Sequence, residues 1–279
     1  MSLIKFLDNI SNTNSMNAKG SRRDAFKQFK TFGKGAAIAS IPFGLAASST
    51  KSKAAGFSMA SAAMQASPTD VLNFALTLEY LEAEFYNMGL ESGIIADENM
   101  TVFETISKHE DDHVEFLVNA LGENAIAKPT FDFTAGGLVD PFGNYDDFLA
   151  LAQGFEDTGV RAYKGQAVAL AGDDTLLEYA LQIHSVEARH ASKVRRIRGE
   201  KGWVTGGDAA SNGIPLTQFD AIYAGEANTM QGGVELATLF DEFGGAQAVQ
   251  EAFDEPLTMD EVLAIGGLFI VSEEDGSDG

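Results

Sequence analysis

Residues 79–86 and 110–113 read EYLEAEFY and EDDH, and a related pattern occupies residues 156–163, EDTGVRAY, and 187–190, EARH. A glutamate, a tyrosine seven residues later and a Glu-x-x-His pair each recur at one constant offset of 77 positions. Four chemically distinctive positions that share one offset indicate an internal repeat. The repeat predicts two equivalent halves, each built from two elements of secondary structure.

Apolar residues at helical spacing surround both copies, and turn residues mark the boundaries. Ser67 followed by Pro68 predicts the start of a first helix, which runs to about Gly89. Further helices are predicted over about 97–121, 145–171 and 175–198. Residues 122–144, rich in Gly, Pro, Asp and Phe, predict a long crossing connection between the second and third helices. Two helix pairs joined by one long crossover predict an all-α four-helix bundle over residues 68–202.

Residues 203–279 predict a less regular, C-terminal helical extension. This region is rich in glycine to about Pro215, and weaker helical patterns follow at 245–253 and 258–270. Thr258 and Glu261 have the spacing of a capping box at the start of the last helix. The tail from Ser272 is acidic, and we expect it to be disordered.

The repeated residues have metal-ligand chemistry. Residues three apart on a helix share nearly one face, so each Glu-x-x-His pair presents a carboxylate beside an imidazole. The first glutamate of each half comes from the other helix of its pair. Four carboxylates that converge inside a bundle do not stay anionic without cations. Oxygen and nitrogen ligands without sulfur favour two iron or manganese ions. The predicted ligands are Glu79, Glu110, His113, Glu156, Glu187 and His190.

An alternative interpretation places these glutamates on solvated helix faces. Against it, Glu79 lies between Leu78 and Leu81, and Glu156 follows a phenylalanine. Tyr86 and Tyr163 lie two turns beyond these glutamates on the same helix face. They are candidate catalytic residues that hydrogen-bond a ligand or act as redox partners, although core packing is an equal alternative.

Three other polar residues lie close to the pattern. His109 and His184 are candidate ligands or partners of ligands, and we favour ordinary polar helix residues with local hydrogen bonds. Glu82 is a candidate ligand in place of Glu79, but its repeat position is Gly159. We expect the remaining acids to lie on a solvated surface.

Composition excludes several classes of protein. The chain has 279 residues, no cysteine and a formal net charge of -22. Without cysteine there is no disulfide scaffold, thiolate metal site or cysteine nucleophile. The negative charge opposes binding to the phosphate backbone of nucleic acid. Residues 1–53 differ, with nine Lys and Arg against two acids and a net charge of +7, which leaves -29 for the rest.

Residues 1–54 predict an export signal. The basic segment around Arg22 and Arg23 precedes a short apolar stretch, 36–47, and then small residues. The apolar stretch is too short for a bilayer core of roughly 30 Å, so we expect no stable membrane span after processing. The paired arginines resemble a twin-arginine signal, although Phe26 lies one place further from them than in that pattern. The predicted location is the periplasm.

Residues 68–202 resemble the ferritin-like superfamily, especially exported ferritin-like domain proteins related to desiccation-associated and stress-response proteins. The segment 76–86, LTLEYLEAEFY, is similar to the first helix of that group. The resemblance implies the six ligands named above, with Glu110 and Glu187 as the bridging pair. The portion after Trp203 departs from small ferritins, and the lack of cysteine removes the rubredoxin module of rubrerythrins.

These features predict a carboxylate-bridged di-iron or di-manganese protein with oxidoreductase activity. Its reaction would be ferroxidase-like, on Fe(II) and dioxygen, or manganese-catalase-like, on peroxide. The expected partners are metal ions and a small oxidant, and a homo-oligomer is compatible with the sequence. The contrasting hypothesis is a non-catalytic protein that protects against stress or desiccation, in which the metal is structural.

Overall fold

Four long helices form the bundle in the computed structural model, which describes residues 66–271. The predicted export signal and the acidic tail from Ser272 lie outside the described residues. Helix α1 packs along α2, α3 packs along α4, and α1 contacts α3. The predicted all-α bundle with one long crossover is therefore confirmed. The helices are α1 (Pro68–Ser92), α2 (Met100–Leu121), α3 (Tyr145–Gln166) and α4 (Asp174–Ile197).

Local side-chain caps mark where three of the four bundle helices begin. Ser67 accepts a hydrogen bond from the backbone of Asp70, whose carboxylate accepts one from the backbone of Ser67, a capping box in front of Pro68. Asn144 caps α3 and Asp173 caps α4, and in both the side-chain oxygen accepts hydrogen bonds from backbone N–H groups of the first turn. These bonds satisfy amides that have no partner within the first turn.

Two of the predicted helix ends are wrong. Helix α1 continues through Gly89 to Ser92 and ends at Gly93, whose φ of 72° suits glycine. Gly89 lies inside the helix, where the lack of a side chain makes room for Phe148, since an added Cβ atom would lie 2.3 Å from that ring. Helix α3 ends at Gln166, short of the predicted end at 171, and the following residues form turns.

The C-terminal extension packs against α3, so that helix is buried from 148 to 163. An arginine on α3 holds the extension in place. Arg161 is 1% exposed, its Nε lies 2.8 Å from Glu226 Oε1, and its guanidinium donates to the backbone carbonyls of Ile222 and Ala224. The elements of the extension are 3-10 helices Ala210–Asn212, Thr217–Tyr223 and Asp241–Phe243, antiparallel strands β1 (Met230–Gln231) and β2 (Val234–Glu235), and helices α5 (Leu236–Leu239), α6 (Gly245–Gln250) and α7 (Met259–Gly266).

The predicted helices of the extension are shorter than expected. Helices α6 and α7 both end before the predicted positions 253 and 270. The predicted capping box is present, because Thr258 accepts from the backbone of Glu261 and the Glu261 carboxylate accepts from Thr258. A local cap thus marks the start of α7, as one does for α1, α3 and α4.

More acids are buried than the four expected. Glu82, Asp157 and Glu226 are each at most 3% exposed, so the expectation that every other acid is solvated is wrong. Arg195, in the basic last turn of α4, is also buried and pairs with Asp157 through two nitrogens. Pairing with an arginine offsets the cost of burying Asp157 and Glu226, since a lone ion inside a protein is costly.

The crossover is joined to the far end of the described chain. The backbone N–H of Asp132 donates to Phe269 O at 2.7 Å, and that of Val271 donates to Thr130 O at 2.9 Å. Phe133 packs on Phe85 of α1 with ring centroids 5.4 Å apart. Among the described helices, none is both long and apolar enough to cross a membrane.

Candidate metal centre

All six residues predicted as ligands meet inside the bundle. The four glutamates are 0% exposed, and the two histidine side chains are 12% and 6% exposed. Every bundle helix contributes at least one of them. In helix order they are Glu79 on α1, Glu110 and His113 on α2, Glu156 on α3, and Glu187 and His190 on α4.

The cluster divides into two overlapping sets, each with one possible ligand atom per residue within 4.8 Å of the others. Glu110 and Glu187 belong to both sets, an arrangement compatible with carboxylates that bridge two cations. The first set is Glu79, Glu110, His113 and Glu187, and the second is Glu110, Glu156, Glu187 and His190.

Each histidine presents one ring nitrogen to three carboxylates. The Nδ1 atom of His113 lies 2.9 Å from Glu110 Oε2, 3.1 Å from Glu79 Oε2 and 3.3 Å from Glu187 Oε1. For His190, the distances from Nδ1 are 2.8 Å to Glu110, 3.3 Å to Glu156 and 3.6 Å to Glu187. A nitrogen carries at most one hydrogen and cannot donate to three carboxylates at once. A cation bound by the nitrogen and the three oxygens together would account for this arrangement.

Several buried polar atoms of the cluster lack hydrogen bonds. Although His190 Nδ1 is close to Glu110 Oε1, the two are not aligned as donor and acceptor. Buried polar atoms without partners are costly, and divalent cations would supply the missing partners. The donor set, oxygen and nitrogen without sulfur, fits iron or manganese. Among the described residues of the cluster, the unpartnered atoms are Glu110 Oε1, Glu156 Oε2, both carboxylate oxygens of Glu187, and His190 Nδ1.

The electrostatics of the cluster show the same need for positive charge. Burial, followed by the nearby charge of Glu187, raises the pKa of Glu79 to about 8. Burial also raises the pKa of Glu156 well above its usual range. For Glu187 burial acts in the same direction, but the contacts with His113 and His190 outweigh it and lower the pKa to about 2. Without a metal, protons therefore supply part of the charge that cations would supply.

Each of the two tyrosines forms a hydrogen bond with a glutamate from the other half of the repeat. The hydroxyl of Tyr86 donates to Glu156 Oε1 at 2.5 Å, and that of Tyr163 donates to Glu79 Oε1. In each carboxylate the other oxygen, Oε2, faces a histidine. Two of the alternatives open for these tyrosines are observed together, because each hydroxyl bonds a predicted ligand while the ring belongs to the hydrophobic core.

His109 contacts the cluster, contrary to the interpretation that we favoured. Its Nδ1 lies 2.9 Å from Nε2 of His190, and the two rings meet edge to edge, with planes 14° apart and centroids 5.2 Å apart. The contact orients the ring of a predicted ligand through its second nitrogen, as outer partners of metal-bound histidines do. His184 instead has Nδ1 2.9 Å from the backbone oxygen of Val160.

Glu82 fills the space left by the glycine at its repeat position. An added Cβ at Gly159 would lie 3.4 Å from Glu82 Oε1 and 3.5 Å from Cγ of Glu187. Burial and then the charge of Glu187 raise the pKa of Glu82 well above its usual range. The two halves of the site are therefore equal in their six predicted ligands but not in their surroundings.

A four-helix bundle with one long crossover and a twice-repeated Glu and Glu-x-x-His set defines a class of carboxylate-rich helical proteins. Residues 67–200 match the family model described as a ferritin-like domain. This segment belongs to the ferritin-like superfamily, and it includes all six clustered residues. A search of curated proteins finds no match to the chain.

Proposed function

We propose that this protein binds two divalent iron or manganese ions and is an oxidoreductase that acts on Fe(II) and dioxygen or on peroxide. The observation that carries the proposal is the pair of overlapping ligand sets that share Glu110 and Glu187. Four ionised carboxylates carry four negative charges, which two divalent cations balance. A neutral buried centre avoids the large cost of a net charge inside the bundle.

Each residue has a distinct role in this proposal. Glu110 and Glu187 would bridge the ions, while Glu79 and Glu156 would each bind one. The hydroxyls of Tyr86 and Tyr163 orient these outer carboxylates. When bound, the two ions supply one electron each, which suits a two-electron oxidant. The apolar side chains around the cluster exclude water and so influence potential and access.

Metal content tests the proposal directly. Protein produced with ample iron or manganese should contain two ions per chain by plasma mass spectrometry. The double variant Glu110→Gln with Glu187→Gln should lose most of this metal. The matched control is Glu115→Gln with Glu178→Gln, because both residues are exposed and lie on the same two helices. Unchanged metal content in the first double variant would refute the site.

Turnover separates catalysis from a structural role. Metal-loaded protein should oxidise Fe(II) with dioxygen or consume peroxide, and the double variant should do neither. Two ions per chain with no turnover in either assay would instead favour the structural alternative. In that case ligands from all four helices would tie the bundle together in a protein that protects against stress or desiccation.

We also propose that residues 1–54 direct export to the periplasm by the twin-arginine route. Support comes from Arg22 and Arg23 within a leader of net charge +7. This route carries folded proteins, so the metals could load before export. Changing both arginines to lysine should keep the protein in the cytoplasm on cell fractionation, while Lys27→Arg should be exported. Normal export of the double variant would contradict the proposal.

A further inference from the structure

The two tyrosines that contact the cluster have different surroundings, although the repeat relates them. Tyr86 is 0% exposed and packs against Phe85 and Phe103, with ring centroids 5.4 Å and 6.0 Å apart, and against Phe148 at 6.3 Å. Tyr163 borders a cavity of about 110 Å³. Aromatic rings therefore fill the space around Tyr86, whereas a cavity remains beside Tyr163.

The sequence explains this difference at three positions. The offset of 77 relates Phe85 to Ala162, Phe103 to Ala180, and Phe148 to Val71. All three smaller residues line the cavity. The void therefore lies where the other half of the repeat has three phenyl rings, and it is not a local packing defect.

The cavity has an almost entirely hydrocarbon wall. Thirteen of its sixteen lining residues are apolar, and the others are Tyr163, Gln166 and Tyr179. The hydroxyl of Tyr163 is already bonded to Glu79, so the cavity ends one side chain from the predicted ligands. Tyr179 is 40% exposed and provides a border between the cavity and solvent.

We propose that this cavity takes up dioxygen and holds it beside the metal centre. The inference rests on the proposed function and names dioxygen, not peroxide, as the oxidant. Peroxide would give up hydrogen bonds to water for which a hydrocarbon wall offers no replacement, whereas dioxygen has none to lose. An apolar cavity of roughly 150 Å³ binds xenon or benzene and stays free of water. A cavity of about 110 Å³ has room for xenon or dioxygen.

Xenon is the probe for the cavity, since it binds apolar voids without reference to the metal. Wild-type full-length protein should bind xenon by NMR, and Ala180→Phe, which places a ring where the other half has Phe103, should not. Ala180→Leu is a smaller change that should weaken binding if the phenylalanine variant fails to fold. Leu181→Phe is the matched control, because Leu181 is 48% exposed on the same helix.

Oxygen kinetics then test the role of the cavity. In both Ala180 variants the KM for dioxygen in Fe(II) oxidation should rise about tenfold, the equivalent of roughly 1.4 kcal/mol of lost binding. Metal content and the rate with peroxide as the oxidant should stay at wild-type values. An unchanged KM for dioxygen, despite lost xenon binding, would overturn the inference.

The two proposals fail in different ways. If wild-type protein binds no xenon, the cavity inference is wrong even where Fe(II) is oxidised. If xenon binds and Ala180→Phe removes it, but no protein oxidises Fe(II), the proposed oxidase function is wrong and dioxygen uptake is overturned with it.

Discussion

At the scale of single residues, the predicted ligands divide into an outer and a central pair. The outer pair, Glu79 and Glu156, each accept a tyrosine hydroxyl on one oxygen and face a histidine with the other. The central pair, Glu110 and Glu187, instead approach both histidines. A tyrosine donor restricts a carboxylate to one free oxygen, which suits an outer ligand. The hydrogen bonds thus distinguish the two pairs in the folded bundle, in agreement with the pairs that the repeat relates.

The tyrosine hydroxyl should tune metal affinity. Tyr86→Phe leaves Glu156 Oε1 without its donor while it keeps the ring packing. Loss of such an outer partner typically weakens metal binding about 10- to 100-fold, and we expect a loss in this range. Competition titration with a chelator measures it. Tyr80→Phe on the same helix is the control, and equal affinities for the two variants would contradict the orienting role.

At the scale of elements, helix α3 lies between the bundle and the extension. Its outer face would be solvated in a simple four-helix bundle, but the extension covers it. The burial allows Arg161 and Asp157 to leave solvent, because Glu226 and Arg195 provide their counter-charges. The extension is therefore part of what holds Glu156 in place on α3.

The arginine on α3 should stabilise the whole domain. Arg161→Met leaves Glu226 buried without its partner, and the expected cost is about 3–5 kcal/mol of the free energy of unfolding. Burial, despite the opposing charge of Arg161, already raises the pKa of Glu226 to about 7. Chemical denaturation measures the loss. The double variant Arg161→Met with Glu226→Leu should recover part of it, and no recovery would contradict the pairing.

A glycine inside α1 should be required by packing. Gly89→Ala brings a Cβ atom within 2.3 Å of the Phe148 ring, so overpacking should cost roughly 1–3 kcal/mol despite the better helix propensity of alanine. Thermal unfolding measures the effect. Gly266→Ala at the end of α7 is the control, since an added Cβ there meets open space within the described part of the chain. A lower Tm for the control than for Gly89→Ala would refute the explanation.

The same glycine shows which parts of the fold the sequence could predict. Helix starts are predictable because a cap such as Ser67 acts within one turn. A glycine that ends a helix and one that makes room for a ring look alike in sequence, so the end of α1 was missed. The six clustered residues are predictable because the constant offset of 77 positions can be read directly from the sequence. Two features could not be predicted, the contact of His109 with His190 and the burial of Glu82. Both depend on distances between helices, and the spacing of residues along the sequence does not give those distances.

At the scale of the whole molecule, protons and metals should compete for the centre. The pKa of Glu79, raised to about 8 from 4.5, means that the folded metal-free protein binds more protons than the unfolded chain between these values. The raised pKa of both histidines acts in the same direction above 6.5, while the lowered pKa of Glu187 acts only below 4.5. The stability of the metal-free protein therefore falls as the pH rises from about 5 to 8.

Calorimetry and thermal unfolding check this competition. The Tm of metal-free protein should fall from pH 5 to pH 8, and Mn²⁺ should reverse the trend because it binds the deprotonated ligands more tightly. Titration with Mn²⁺ in two buffers of different ionisation enthalpy should reveal proton release. A metal-free Tm that rises over this range, or binding without proton release, would contradict the competition.

The crossed tyrosine bonds have a consequence for the order of events during synthesis. They join residues 70 and 84 positions apart, and the last predicted ligand, His190, follows His113 by 77 residues. Translation proceeds at roughly 5–20 residues per second, so about 4–15 s would separate the synthesis of His113 from that of His190. A nascent chain stopped before α4 holds neither Glu187 nor His190, so it has no complete ligand set. Under the proposed function, metal loading would therefore follow completion of the bundle and come later than the emergence of either half from the ribosome.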